Sequence, residues 1–319
     1  MSETFSTLDE AVLAEAEASL VTIRDFIRFG VSALRLHDVH LGHGSNDPFA
    51  EATALVMQTL GLDWSADAEI LDAKLLPSER RAVVELVRRR VNERTPLGYL
   101  LNLAYFAGLP FYVDERVLLP RSPIAELIAW RFQPWLAFEP QRVLDLCTGS
   151  GCIAIAVATE FPEALVDAAD ISMDALSVAS VNVEHHDLLE RLNLIESDVF
   201  SKLPGQRYDL IVSNPPYVDS EDMADLPPEF EKEPELGLAS GRDGLDLTRR
   251  ILAEAADHLT DDGVLVVEVG NSQWALEQGF PEVPFEWVEF EKGGQGVFVL
   301  SAAECREFQP LFQTALAGE

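Results

Sequence analysis

The sequence predicts an α/β protein: a parallel sheet with crossover helices and an antiparallel hairpin at its edge, preceded by a small helical domain. Three observations carry this. From Leu8 to about Arg94, apolar residues recur at spacings of three and four, as in Val83, Val84, Leu86, Val87 and Val91, which is the period of a helix. From Ser122 onward, apolar runs at Arg142–Leu146, Leu165–Ala169, Leu192–Glu196, Tyr208–Val212 and Val264–Val269 alternate with helical stretches, as parallel strands with crossovers do. Two further runs, Phe285–Phe290 and Gly296–Leu300, lie close together around Gly293-Gly294, a spacing that suits an antiparallel hairpin.

At 319 residues, 48% hydrophobic, the chain is long enough for one large domain and a smaller one. In the helical part, Pro77-Ser78 is the expected capping signal of the last helix, and Glu79 falls in its first turn, where the helix dipole favours an acid. Arg80, Arg81, Arg88, Arg89 and Arg90 follow as a basic patch, read as a solvated helix face in preference to a nucleic-acid contact. Between Ala104 and Leu119, aromatic and β-branched residues flank Gly108-Leu109-Pro110 and Asp114-Glu115, which predicts a short hairpin. The expected boundaries are 1–100 for the helical domain, 101–121 for the hairpin linker and 122–319 for the α/β domain. Glu221 to Glu235 is acidic, contains proline and reads as a mobile loop, and internal repeats are absent.

Composition narrows the setting. Met1 to Glu10 hold acids but no Lys or Arg, so the basic start of a signal peptide is missing, and the apolar runs fall far short of the ~20 residues of a membrane span. Cys147, Cys152 and Cys305 lack zinc-site or disulfide spacings and read as reduced thiols, so a soluble cytoplasmic protein is expected. A net charge of −32, from 55 acids against 23 bases, opposes binding to phosphate backbones and suits a basic partner, although acidity for solubility alone fits it as well.

The chemistry lies at the strand ends. The first strand runs into Asp145-Leu146-Cys147-Thr148-Gly149-Ser150-Gly151, where glycines let a ligand approach the backbone. Alone, this loop also fits a packing role, and its spacing is not the three-glycine dinucleotide fingerprint. Asp170 ends the second strand, where a carboxylate can accept both ribose hydroxyls of a nucleoside; Asp198, beside Val199 after the third, can accept from an adenine amino group. Any one of these acids could serve as a cap or turn former, but three successive strand ends each carry one. After the fourth strand comes Ser213-Asn214-Pro215-Pro216-Tyr217. Two prolines fix the backbone and remove two donors, leaving carbonyl oxygens beside the Asn214 amide oxygen. Such a loop suits a planar NH2 group held by Asn214 and the Pro215 carbonyl, with Tyr217 stacked beside it.

These residues resemble the class I methyltransferases with an Asn-Pro-Pro-Tyr motif, which methylate exocyclic amino groups of bases or glutamine amides, and the resemblance covers nearly the whole chain. Leu118 to Leu127, with Arg121-Ser122-Pro123-Ile124, is similar to the linker of the protein-glutamine methyltransferases that act on large-subunit ribosomal protein L3; those acting on release factors typically have Arg-Pro-Glu-Thr-Glu there. Arg24 to Gly30 and Gly42-His43-Gly44 resemble the same branch. Cys147 stands where the first glycine of the loop is usual. The resemblance implies a Rossmann-like methyltransferase sheet and S-adenosyl-L-methionine as cofactor, bound by Asp145, Cys147, Thr148, Gly149, Ser150, Gly151, Asp170, Asp198, Val199 and Asn214. It implies a catalytic set of Asn214, Pro215, Pro216 and Tyr217, and a helical domain that recognises the protein substrate. Stable binding of nucleic acid is not expected. His37, His40 and His43 are spaced by three, yet Gly42 and Gly44 break the helix that would align them and amide methylation needs no Lewis acid, so no metal is expected. Glutamine methylation of a release factor, adenine-N6 methylation and a cofactor-binding module without catalysis are the alternatives. The acidic charge and the lack of a separate recognition domain oppose the nucleic-acid reading.

Overall fold

A computed structural model describes residues 6–42, 46–63 and 66–317, arranged in two compact units. The first comprises the described residues up to Leu103 together with Pro227–Lys232; the second is Ala104–Leu226 with the described part of the chain from Glu233 onward.

The first unit is built from α1 (Glu10–Ser19), α2 (Ile23–Leu36), α3 (Pro48–Thr59), α4 (Pro77–Asn92) and the short α5 (Leu97–Leu101). A capping box opens α2: Thr22 Oγ1 accepts from the Asp25 amide at 3.2 Å, and Asp25 Oδ2 accepts from the Thr22 amide at 2.8 Å. Hydrogen bonds from Thr22 hold the Asp25 carboxyl below the usual carboxylate range. Ile23, Phe26, Ile27, Gly30, Ala33 and Leu34 then fall on one buried face. Gly30 lets α2 approach α3 closely, because a Cβ there would sit 3.0 Å from Cβ of Ala52. The stretch Arg24–Gly30 is thus a helix start and a packing face. At α4 the structure corrects the expected cap. Ser78 lies inside the helix, Pro77 is its first residue, and the Glu79 carboxylate reaches back to the Leu76 amide at 2.7 Å.

Four of the five arginines of the patch are in ion pairs, and Arg80 donates to the Leu75 carbonyl oxygen. Arg81 pairs with Glu17, Arg88 with Glu85 and Glu93, and Arg89 with Glu93. Arg90 is 1% exposed and reaches Glu51 at 2.6 Å and the His40 carbonyl oxygen at 2.6 Å. Arg94 donates to the carbonyl oxygens of His37 and Asp38. Glu229 lies 3.3 Å from Arg94 and 3.5 Å from Arg90, and accepts from the His40 amide. It is fully buried. The segment expected to be a mobile loop therefore carries a buried carboxylate, and three short 3-10 turns, Asp222–Ala224, Phe230–Lys232 and Glu235–Gly237, order it.

The second unit opens with β1 (Ala104–Phe106) and β2 (Leu109–Phe111), a separate antiparallel hairpin. Its turn is Ala107-Gly108, both with positive φ, as a two-residue turn requires. Then come α6 (Ile124–Ala129), β3 (Arg142–Leu146), α7 (Cys152–Glu160), β4 (Leu165–Asp170), α8 (Met173–His185), β5 (Leu192–Glu196), β6 (Tyr208–Ser213), α9 (Asp246–His258), β7 (Leu259–Glu268), α10 (Gln273–Gly279), β8 (Glu286–Trp287), β9 (Val297–Ser301) and α11 (Ala302–Ala317). The seven-stranded sheet has the order β5-β4-β3-β6-β7-β9-β8. The first five of these strands are parallel, and β9 and β8 add the antiparallel edge. Alternate residues such as Leu144, Leu146, Ile211, Leu265 and Val267 join a core with α9, α10 and α11. On the remaining strand positions, α7 packs over β3 and β4 and touches α6 and α8. The strand order reverses between β3 and β6, and ligands of open parallel sheets bind outside the carboxyl ends of strands at that point. The register confirms the juxtaposition: Leu146 lies opposite Ser213, whose hydroxyl donates to the Leu146 carbonyl oxygen at 2.8 Å.

Candidate active site

At this switch point the carboxyl ends of β3, β4, β5 and β6 enclose a cavity of about 380 Å³. Leu146 to Ser150, Asp170 to Ser172, Ser197 to Val199, Asn214 and Pro216 line it, with Leu118 to Ser122 and Arg250 closing the sides. A larger cavity, about 770 Å³, lies over α6, the end of α7 and Lys292–Gly294. It shares only Arg121 and Ser122 with the first and holds none of the strand-end acids, so the chemistry is assigned to the smaller one.

The loop after β3 is wound by left-handed backbone at Cys147 (φ 60°), Gly149 (φ 56°) and Gly151 (φ 80°). A non-glycine residue in this region is strained, and Cys147 holds it at the cavity wall. Burial pushes its thiol up, as do the neighbouring charges of Asp170 and Asp145, beyond the opposing pull of Ser213 and Arg250. Thr148, Gly149 and Ser150 line the cavity; Gly151 sits behind them, where a Cβ would come 3.3 Å from Cβ of Ala179. Asp145 is fully buried beneath the loop. Its Oδ2 accepts from Thr148 Oγ1 at 2.6 Å and the Ala154 amide at 3.1 Å, joining the loop to the start of α7. Burial raises its carboxyl to about 7, against the pull of those donors. Asp145 thus shapes the wall from behind.

Asp170 faces the cavity. One oxygen accepts from the Gly149 amide at 2.9 Å and the other from the Ser172 amide at 2.8 Å, which fixes the carboxylate in one plane with lone pairs to spare. Burial pushes it above the usual carboxylate range. A rigid carboxylate flanked by left-handed backbone fits the diol of a ribose. Asp170→Ala is expected to weaken nucleoside-cofactor binding by about 2 kcal/mol through lost charge-assisted hydrogen bonds. Calorimetric titration checks this, and unchanged affinity would remove Asp170 from the ribose. Asp198 is half-exposed and pairs with Arg250 of α9 at 2.8 Å, a partner that sequence reading missed. Val199 beside it is buried, in left-handed backbone.

The loop after β6 brings Asn214 and Pro216 to the cavity wall, and Pro215 between them is buried. Oδ1 of Asn214 is buried and has no hydrogen-bond partner among the described residues. An orphaned acceptor is costly in a finished interior, and this one sits on the cavity wall, where an incoming N–H would satisfy it. Tyr217 turns away from the cavity. Its hydroxyl donates to Glu268 at 2.9 Å and its carbonyl accepts from Ser272 Oγ at 2.9 Å. Glu268, the last residue of β7, also accepts from Ser122 Oγ. Sequence reading passed over it, although an acid ending the apolar run Val264–Val267 was a signal. Arg121 forms a two-pronged pair with buried Glu233 at 2.6 and 2.8 Å, and Glu233 also accepts from the Leu119 amide, pinning the segment that walls the cavity.

His37 bonds Ser6 through Nδ1, and His43 lies outside the described residues. Among the described residues no three His, Cys, Asp or Glu side chains are placed to hold a metal ion, and no helix is long and apolar enough to cross a membrane.

The family described as methyltransferase small domain matches residues 128–230. The ribosomal protein uL3 glutamine methyltransferase of Francisella tularensis subsp. tularensis is 46% identical over 297 residues, 92% of this chain and 95% of its own length. The protein of the same name from Neisseria gonorrhoeae is 47% identical over 289 residues, 90% of this chain and 96% of its own. Among solved structures, the hMettl16 catalytic domain in complex with MAT2A 3'UTR hairpin 6 covers 70% of this chain and 80% of its own, with a TM-score of 0.49 and 17% identity.

Proposed function

The chain belongs to the family of the ribosomal protein uL3 glutamine methyltransferases, and from that membership we propose that it methylates the side-chain amide nitrogen of a glutamine in ribosomal protein uL3. The methyl donor in this reading is S-adenosyl-L-methionine, which supplies an activated methyl group on a sulfonium. The residues lining the cavity fit it: Asp170 would take the ribose diol, Thr148 to Ser150 would allow close approach, and Asp198 and Val199 would flank the base.

The observation that carries the reading is the unsatisfied Asn214 Oδ1 at the cavity wall, beside two prolines that contribute no amide hydrogens. A glutamine NH2 can donate one hydrogen to Asn214 and the other to the Pro215 carbonyl. An amide nitrogen is a poor nucleophile because its lone pair is delocalised, and these two acceptors favour density on nitrogen as the new bond forms. Alignment does most of the work. No His or Cys base is needed, since the methylated nitrogen becomes acidic and sheds its proton afterwards. The helical unit is left to select the protein substrate, and the reading puts the chain in the cytoplasm, with its substrate.

The direct test supplies purified uL3, release factors and an adenine-containing oligonucleotide with labelled methyl donor, and locates the label by mass spectrometry. Label on a uL3 glutamine is the expected result; label only on a release factor or on adenine would replace it. The charge of −32 adds a further expectation, because ribosomal proteins are basic and opposite charge speeds encounter. At physiological ionic strength exposed charges more than about 8 Å apart are already largely screened, and added salt shortens that reach, so kcat/KM for uL3 should fall steeply with added salt, while a short neutral glutamine peptide responds little. Equal slopes for both would leave acidity as a solubility feature.

A further inference from the structure

We propose that Glu268 is a positioning residue for methyl transfer, holding Tyr217 of the Asn-Pro-Pro-Tyr loop by its hydroxyl and joining that loop to Ser122 in the cavity wall. The proposal rests on the glutamine-methyltransferase reading and adds a residue to its machinery.

Tyr217 is held at every end. Its ring lies against Gly270, where a Cβ would come 2.5 Å from Cε2, and its carbonyl oxygen lies where Gly244 leaves no room for a side chain. Ser272 Oγ donates to that same carbonyl. The hydroxyl is the remaining handle, and Glu268 Oε1 takes it. The other oxygen, Oε2, takes Ser122 Oγ, and Ser122 lines the cofactor cavity. Ser122 in turn accepts from the Ile124 amide at the start of α6. One buried carboxylate thus spans two segments 95 residues apart in the chain, Ser122 and Tyr217, from the end of β7. The bonds to it come from two neutral hydroxyls, a costly way to bury an acid. A leucine would pack there more cheaply. What the carboxylate adds is direction: with Tyr217 fixed, Asn214 three residues earlier on a proline-stiffened loop has one place to be.

The charged groups near Glu268 are Arg121, whose cation favours its ionised form, and Glu233, which pairs with Arg121. β9 contributes only the apolar Val297–Leu300 beside it. Burial holds Glu268 at about 7, while the hydroxyl of Tyr217 pulls it down and is itself pushed up by burial. The ionised form accepts both hydroxyls; the protonated form must donate with one oxygen. Turnover should therefore decline as pH falls through about 7.

The experiment measures single-turnover methylation of uL3 by the full chain from about pH 6 to about pH 9, for wild type, Glu268→Gln, Tyr217→Phe and the double variant. Glu268→Gln should slow the step about tenfold, the loss of one charge-assisted hydrogen bond, with cofactor affinity unchanged. The double variant should be no slower than the slower single one. Asp145 also stands at about 7, so the readout is the change in the acidic limb between variants. Tyr217→Phe removes a donor to the ionised form and should move the limb to higher pH; Glu268→Gln should remove the Glu268 share of it. These shifts distinguish positioning from bulk stability, which would change thermal unfolding and leave the limb in place. If Glu268→Gln fails to fold, the Tyr217→Phe limb alone decides. A wild-type rate and limb in Glu268→Gln, additive effects, or an unmoved limb in Tyr217→Phe would overturn the proposal while leaving the methyltransferase reading intact. A wild-type chain that does not methylate uL3 would overturn both.

Discussion

Replacing Asn214 with alanine should lower the single-turnover rate of amide methylation by roughly 10²–10³-fold, about 3–4 kcal/mol, the cost of deleting one preorganised group aimed at the reacting atoms. The cavity keeps Asp170, Thr148, Gly149 and Ser150, so cofactor affinity should change far less than the rate. Only the acceptor loses its partner. In the substrate-free chain the variant removes a buried oxygen without a partner, so it should leave unfolding free energy unchanged or raise it. Rapid-quench kinetics with calorimetry of the cofactor checks the split, and denaturant unfolding checks the third expectation. A rate within threefold of wild type, well under 1 kcal/mol, would take the acceptor amide away from Asn214.

Replacing Glu229 with alanine should cost about 3–5 kcal/mol of stability, as breaking a buried ion pair by removing one partner does. The side chain is completely buried, lies 3.3 Å from Arg94 and 3.5 Å from Arg90, and caps the amide of His40. Without it Arg90 keeps the carboxylate of Glu51, and the buried guanidinium of Arg94 loses that of Glu229. The comparison is Glu93→Ala, which removes one of two partners of Arg88 and the partner of Arg89 at the surface and should cost under about 1 kcal/mol. Urea unfolding of the two variants in parallel reads the difference. Equal losses would mean that the buried cluster is no stronger than a solvated pair.

The sequence by itself determined the strands of the parallel sheet and their alternation with helical stretches in the α/β unit. Those signals are local: an apolar-rich run of five or six residues with Asp145, Asp170 or Asn214 at or beside its end announces a buried parallel strand whichever neighbour it finds. The chemistry at the strand ends was legible for the same reason, since Asn-Pro-Pro-Tyr is stiff and acceptor-rich in any fold. Where a side chain's role depends on a distant partner, local pattern was silent or misleading. Ser78 looked like a cap until Glu79 took the Leu76 amide; Arg90 looked like part of a solvated face until Glu51 and Glu229 buried it. An acidic, proline-bearing stretch looked mobile because periodicity cannot register that its carboxylates, at Glu229 and Glu233, meet arginines far away in the chain. Only the tertiary structure decided those pairings, and with them the placement of Leu146 beside Ser213, of Arg250 beside Asp198 and of Glu268 beneath Tyr217. Charge pairs and hydrogen bonds reach a few ångströms in space and have no period in sequence, whereas apolar patterning is written into the chain at every turn and strand.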